Sequence, residues 1–255
     1  MTRERRSSRR YAWVPFLALA AALFALLAGP AAAQEISVGF GDDASLTERA
    51  VQLVILLTVL SLAPSILVMV TSFTRIVVVL SLLRSAIGLQ TAPPNMVMIS
   101  LALFLSAFIM MPTLQAAYDA GVEPLVNGDI EFEQAFERAS DPFRTFMLSQ
   151  VREKDLALFQ ELSGQDAPDG PEDLSMATLI PAFMISELRR AFEIGFLLYL
   201  PFLIIDLVIA SVLMSMGMMM LPPVVISLPF KLIFFVLVDG WNLVAGSLVK
   251  SFGGG

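Results

Sequence analysis

Apolar residues along this chain come in long unbroken blocks, not in the period-two alternation of a half-buried strand. The first, "VQLVILLTVLSLAPSILVMVTSF", runs from Val51 to Phe73 without a charge. At ~1.5 Å rise per residue, about 20 residues cross a hydrocarbon core. Pro64 inside it is tolerable where a neighbouring helix satisfies the freed carbonyl. A shorter run, Ile76 to Leu83, is bracketed by Arg75 and Arg84 and reads as a continuation or interfacial helix. After Ala92-Pro-Pro-Asn95 comes a second span, Met96 to Ala117. The basic connection between the two spans is expected to face the cytoplasm.

Asp119 to Asp173 interrupts this pattern with fourteen acidic against four basic residues, a net charge of −10. Phe132, Phe136, Phe143, Phe146 and Met147 recur near helical period. The spacing predicts two amphipathic helices broken at Asp141-Pro142, then a loop from Gly164 to Pro171. A segment so acidic is compatible with the non-cytoplasmic side, and its plain reading is a solvated insert with no site of its own. The apolar pattern then resumes in Ile194 to Leu213, with Asp206 its one charge, and in Pro222 to Val249, which holds Lys231 and Asp239. The result is four membrane-type segments forming two helical hairpins around a polar insert.

The N-terminus stands apart. Five arginines lie within Met1 to Arg10, followed by apolar Tyr11 to Ala28 and then Gly29-Pro-Ala-Ala-Ala-Gln34. These are the parts of a secretory signal peptide, with cleavage expected between Ala33 and Gln34; an uncleaved first transmembrane helix is the other reading. The expected organisation is therefore a cleavable signal at 1–33, a short external segment at 34–45, a first membrane hairpin at 46–118, the acidic insert at 119–175 and a second hairpin at 176–255.

Composition agrees and narrows the chemistry. The 255 residues are 57% hydrophobic and 15% charged, against about 25% charged in soluble domains. The fold class is all-α integral membrane protein. Neither cysteine nor histidine occurs, which removes disulfides, zinc sites, thiol nucleophiles and histidine acid–base catalysis. No catalytic residue, resident metal or cofactor is expected, and nothing points to nucleic acid.

Charges at membrane depth are expensive and normally face protein or water. Asp206, Lys231 and Asp239 lie inside the last two apolar runs, and Glu187, Arg189, Arg190 and Glu193 crowd the start of the third. Arg189 and Glu193 are spaced for an i,i+4 pair. Lys231 has no acid within a helical turn, so its partner should lie on another helix or subunit, with Glu187 or Asp206 the candidates. An alternating topology puts Arg189 and Arg190 outside, against the positive-inside bias; either that topology fails or these helices are not ordinary spans. Asp206 and Asp239 also permit an intramembrane aspartyl protease, provided the two carboxylates meet.

"MSMGMMMLPP", Met214 to Pro223, concentrates methionine. At ~100° per residue, Met214, Met216, Met218, Met219 and Met220 point all round a helix and form no stripe. The two prolines bias Leu221 and Pro222 out of the α region. The helix should therefore end near Met218 to Met220, with Gly217 adding slack and Met214 and Met216 in ordinary packing. Three readings stay open: apolar filling, an adaptable seal built from soft thioethers, or Cu(I) ligation. The last makes a small-solute or Cu(I) transporter the alternative function.

Pro181 to Trp241 carries a more specific pattern: Pro181-Ala-Phe183, Ser186-Glu-Leu188, Ala191-Phe192, Gly195-Phe196, Pro201-Phe202, Asp206-Leu207, Met218 to Met220 with Pro222-Pro223, Leu228-Pro229, Lys231 and Asp239-Gly-Trp241. With "TSFTRIVVVLSLLRSAIGLQTAPPN", Thr71 to Asn95, it closely resembles the FliP family of flagellar biosynthesis proteins, which has injectisome counterparts. The resemblance covers about Leu46 to Ala117 and Met176 to Lys250. It implies a subunit of the flagellar type III export gate, a homo-oligomer (a pentamer) that joins FliQ and FliR in a helical, pore-forming assembly. It implies contact with other export-apparatus proteins and passage of unfolded flagellar proteins. It also places the protein in the bacterial inner membrane at the flagellar basal body, with the insert periplasmic. Met218, Met219 and Met220 would line the pore as a gasket, and no catalysis is implied.

Overall fold

The computed structural model describes residues 46–164, 170, 174–218 and 221–253. The signal segment, with Ala33 and Gln34, lies outside the described residues. Every described element is helical: α1 Leu46–Val70, α2 Phe73–Ile87, α3 Asn95–Ala117, a π-helical turn Tyr118–Val122, α4 Glu123–Asn127, α5 Phe132–Gln150, α6 Glu153–Ser163, α7 Met176–Ser215, α8 Pro223–Leu237 and α9 Gly240–Gly253. The chain divides into two units, Met1–Leu57 and Thr58–Gly255. Of the first, the described part is the helical stretch from Leu46, with Val51, Leu53, Val54 and Leu57 exposed.

The second unit is built around helix α2. Ile76, Val79, Leu80, Leu83, Ala86 and Ile87 are all buried on it, and at ~100° per residue they form one stripe about 120° wide. They form one core with Met98 and Ala102 of α3, Ala191 and Phe202 of α7, Phe235 of α8, and Val244 and Leu248 of α9. The helix stops at Gly88, whose φ is 91°.

Two helical stretches are long and apolar enough to cross a bilayer alone: Asn95–Asn127 and α7. The first runs past its expected end because the π turn and α4 continue it. Helices α8 and α9 qualify only as a broken span, bent by 64°, whereas one continuous run was expected from Pro222 to Val249. The break falls at Asp239, whose φ is 50°. Gly240 follows with the Phe235 ring pressed against it, since a Cβ there would lie 2.1 Å from that ring. Asp239 thus stands exposed at the bend between α8 and α9.

Helix α7 has 40 residues, about 60 Å at ~1.5 Å per residue and twice a hydrocarbon core. Ser175 caps its start, accepting from the Ala177 amide at 3.2 Å, and Pro181 and Pro201 sit inside it. The expected span Ile194 to Leu213 is only its second half. The charged stretch Glu187 to Glu193 therefore need not share that half's depth, which removes the force of the topology conflict over Arg189 and Arg190.

The insert is not a detached segment. Met147 of α5 is fully buried and packs with Leu174, Leu179 and Phe183 in a second core that belongs partly to α7. The expected break at Asp141-Pro142 is absent: α5 runs through Pro142. A single proline costs one backbone bond, and the Thr145 hydroxyl donates to the Asp141 carbonyl at 3.0 Å beside it. The helix ends instead at Val151, in extended conformation. Gly121 lets the π turn lie directly on α5, since a Cβ there would stand 2.5 Å from the Ala135 carbonyl oxygen.

Candidate functional site

The methionine-rich turn joins α7 to α8. Helix α7 ends at Ser215, earlier than expected, because Gly217 adopts φ 72°. Its amide donates to the Met214 carbonyl at 3.1 Å, and the Met218 amide reaches back to the Leu213 carbonyl at 3.0 Å. This pair of bonds is a Schellman stop, and glycine meets its left-handed position without a Cβ penalty. Gly217 is therefore a terminator and not slack. Met218 comes next, half-buried, with its carbonyl accepting from the Leu221 amide at 3.3 Å. Met219 and Met220 lie outside the described residues. Met214 and Met216 are 60% and 64% exposed in the single chain, so the ordinary packing expected for them is not supplied by this chain.

Below the turn, a polar clasp ties α7 to α8. The Lys231 ammonium donates to Asp206 Oδ2 at 2.7 Å and to the Ala86 carbonyl at 3.1 Å. The Ser227 hydroxyl donates to the other carboxylate oxygen, Oδ1, at 2.5 Å. Lys231 and Ser227 stand four residues apart on one face of α8, so one carboxylate of α7 receives both. Of the two candidate partners for Lys231, Asp206 is the one found. Its carboxylate is thereby engaged by Lys231 and Ser227, while Asp239 stands at the α8–α9 break. The shared-proton pair needed by a protease is not what this geometry builds.

Glu187 has a different partner. It forms a two-pronged ion pair with Arg75, Nε to Oε2 at 2.8 Å and Nη2 to Oε1, with both side chains fully buried. Arg75 Nη2 also donates to Gln150 Oε1 at 3.1 Å, and Nη1 donates to the Ser251 carbonyl and hydroxyl oxygens, each at 3.1 Å. The Phe252 ring covers the guanidinium at 3.6 Å. One planar fork thus joins α2, α7, the end of α5 and the end of α9, a geometry a lysine ammonium cannot supply. Adjacent to it, Ser186 donates to Asp155 Oδ2 at 2.7 Å and accepts from the Arg152 amide at 3.1 Å, fastening the start of α6. Consecutive residues of α7 therefore hold two different parts of the molecule.

Arg189 and Glu193 pair as spaced, at 2.9 Å, on the exposed side of α7. Arg190 is half-buried beside the Arg75–Glu187 pair and contributes charge to it. Sequence reasoning missed Arg75 as a site residue, taking it for a mark of the cytoplasmic side. The available signal was its setting: a lone cation between apolar runs on both flanks, the same signal that flagged Lys231.

The chain has clear relatives among known proteins. A model described as the FliP family matches residues 56–248. A relative from Caulobacter vibrioides, named flagellar biosynthetic protein FliP, is 63% identical over 235 residues, 92% of this chain and 88% of the relative. A protein of the same name from Bacillus subtilis is 51% identical, over 85% of this chain and 98% of its own. Another from Aquifex aeolicus is 50% identical, over 86% and 90%.

Proposed function

The chain belongs to the FliP family, and on that premise we propose that it is a subunit of the flagellar type III protein export gate. The observation that carries this reading is the match through residues 56–248, which takes in the Arg75–Glu187 and Asp206–Lys231 pairs and the methionine turn. In the proposed assembly several copies join FliQ and FliR in the inner membrane at the basal body, with the acidic insert on the periplasmic side. Exposed apolar side chains along α3, α7 and α8, among them Phe104, Phe196 and Val236, favour burial against other helices or lipid.

The turn at Met218, Met219 and Met220 acts as the seal. Thioethers are unbranched and adaptable, so they close around chains of varied shape without a fixed complementary surface. The Schellman stop and the Asp206–Lys231 clasp hold the turn at the tip of a rigid α7–α8 hairpin, so that compliance is confined to the tip. The chain's role is structural, and the work of transport comes from elsewhere in the apparatus.

The test is purification in mild detergent from cells that make this chain with its FliQ and FliR partners. A defined complex of all three is expected. Recovery of this chain alone, under conditions that keep FliQ and FliR together, would contradict the proposal.

A further inference from the structure

An apolar recess lies away from the methionine turn, where the end of α2 and the Ala92-Pro93 turn face the α8–α9 break. It encloses about 260 Å³ and is walled by Ile87, Leu232, Phe235, Val236 and Trp241, with Arg84 on its lining and no acidic residue. At ~30 Å³ per water-sized group, it has room for roughly eight or nine methylenes. That is part of one acyl chain.

Two polar groups at this recess lack a counterpart. Arg84 is half-exposed, and Nη1 alone is engaged, donating to Asn95 Oδ1 at 2.6 Å and the Pro93 carbonyl at 3.4 Å. Among the described residues Nε and Nη2 have no acceptor and Arg84 has no ion-pair partner. Trp241 is 43% exposed and packs edge-on against Phe235 at 5.4 Å, and its indole N–H likewise has no acceptor among the described residues. Tryptophan with an apolar body inside and a free N–H outside is the side chain of a membrane–water boundary. An unpaired guanidinium fork fits a phosphate bidentately.

We propose that this recess is a binding site for an anionic glycerophospholipid, with one acyl chain in the apolar pocket and its phosphate on Arg84. The choice of a lipid follows from the membrane character of the chain. The preference for an anionic headgroup follows from a cation with spare donors in a pocket that has no carboxylate. The recess joins α2 to the broken α8–α9 pair, so the lipid also fills the gap left where those helices bend.

Fluorescence of Trp241 reads the site directly, because the chain has two tryptophans and Trp13→Phe leaves only this one. The full chain is reconstituted into nanodiscs containing phosphatidylglycerol or phosphatidylcholine with brominated acyl chains. Quenching is expected at about fivefold lower mole fraction for the brominated phosphatidylglycerol, the preference one basic residue supplies at a membrane surface. Arg84→Gln should remove that preference while Arg84→Lys keeps most of it, with helical circular dichroism showing both variants folded. Equal quenching by the two lipids, or a preference that survives Arg84→Gln, overturns the proposal while leaving the membrane reading intact. Absence of quenching by either lipid also overturns it, and shows the recess covered by protein.

Discussion

The two polar assemblies on α7 differ in burial and in how many elements they join. The Arg75–Glu187 assembly is fully buried, spends every guanidinium direction and ties together four elements. The Asp206–Lys231 clasp is smaller, with its side chains 23% and 3% exposed, and joins α7 to α8 just below the methionine turn. Buried ion pairs gain little over apolar replacements, yet removing one partner is costly because a bare charge stays behind. The first assembly therefore fixes which packing the helices adopt. The second holds α7 and α8 together beneath the methionine turn.

The largest expected effect comes from breaking the first assembly. Glu187→Ala strands the Arg75 guanidinium and should cost about 3–5 kcal/mol, seen as loss of folded, monodisperse protein on heating in mild detergent. Arg75→Met with Glu187→Leu should recover most of that loss. If Glu187→Ala alone melts like the parent, the buried hub does not govern packing.

Lys231→Met comes next, leaving Asp206 with Ser227 and partial solvent, at a cost of about 1–3 kcal/mol. Exchanging the charges of Asp206 and Lys231 should restore part of the assembly lost in either single variant. Exchange between Lys231 and Glu187 should restore none, and recovery there would reverse the assignment of partners. Gly217→Ala tests the stop itself: at φ 72° an alanine should cost about 1 kcal/mol or slightly more. Gly217→Asn should be tolerated better, as measured by thermal unfolding. Arg189→Ala removes only an exposed helix pair and should shift stability by no more than ~0.5 kcal/mol.

Much of this was legible from residue spacing. The apolar blocks located α3 and the second half of α7, and the lack of a local partner for Lys231 led to Asp206. What failed did so where tertiary structure overrides a local signal. Pro142 looked like a break, yet α5 carries it because packing on α3 and α7 outweighs one missing backbone bond. The apolar run around Asp239 is unbroken in sequence, and only its positive φ reveals that the chain bends there. Arg75 looked like a topology mark because nothing local says that Glu187, Gln150 and Ser251, from three distant segments, converge on it. The methionines were legible as non-periodic, and Gly217 was the residue whose role changed most, from slack to stop.

The central claim is that the turn after this stop seals a pore while the hairpin beneath it stays rigid. The most direct test replaces Met218, Met219 and Met220 together with alanine in the assembled gate, then measures small-molecule or ion leakage beside flagellin export. Leakage should rise clearly while assembly persists and export continues. An assembled gate with unchanged leakage would contradict the account.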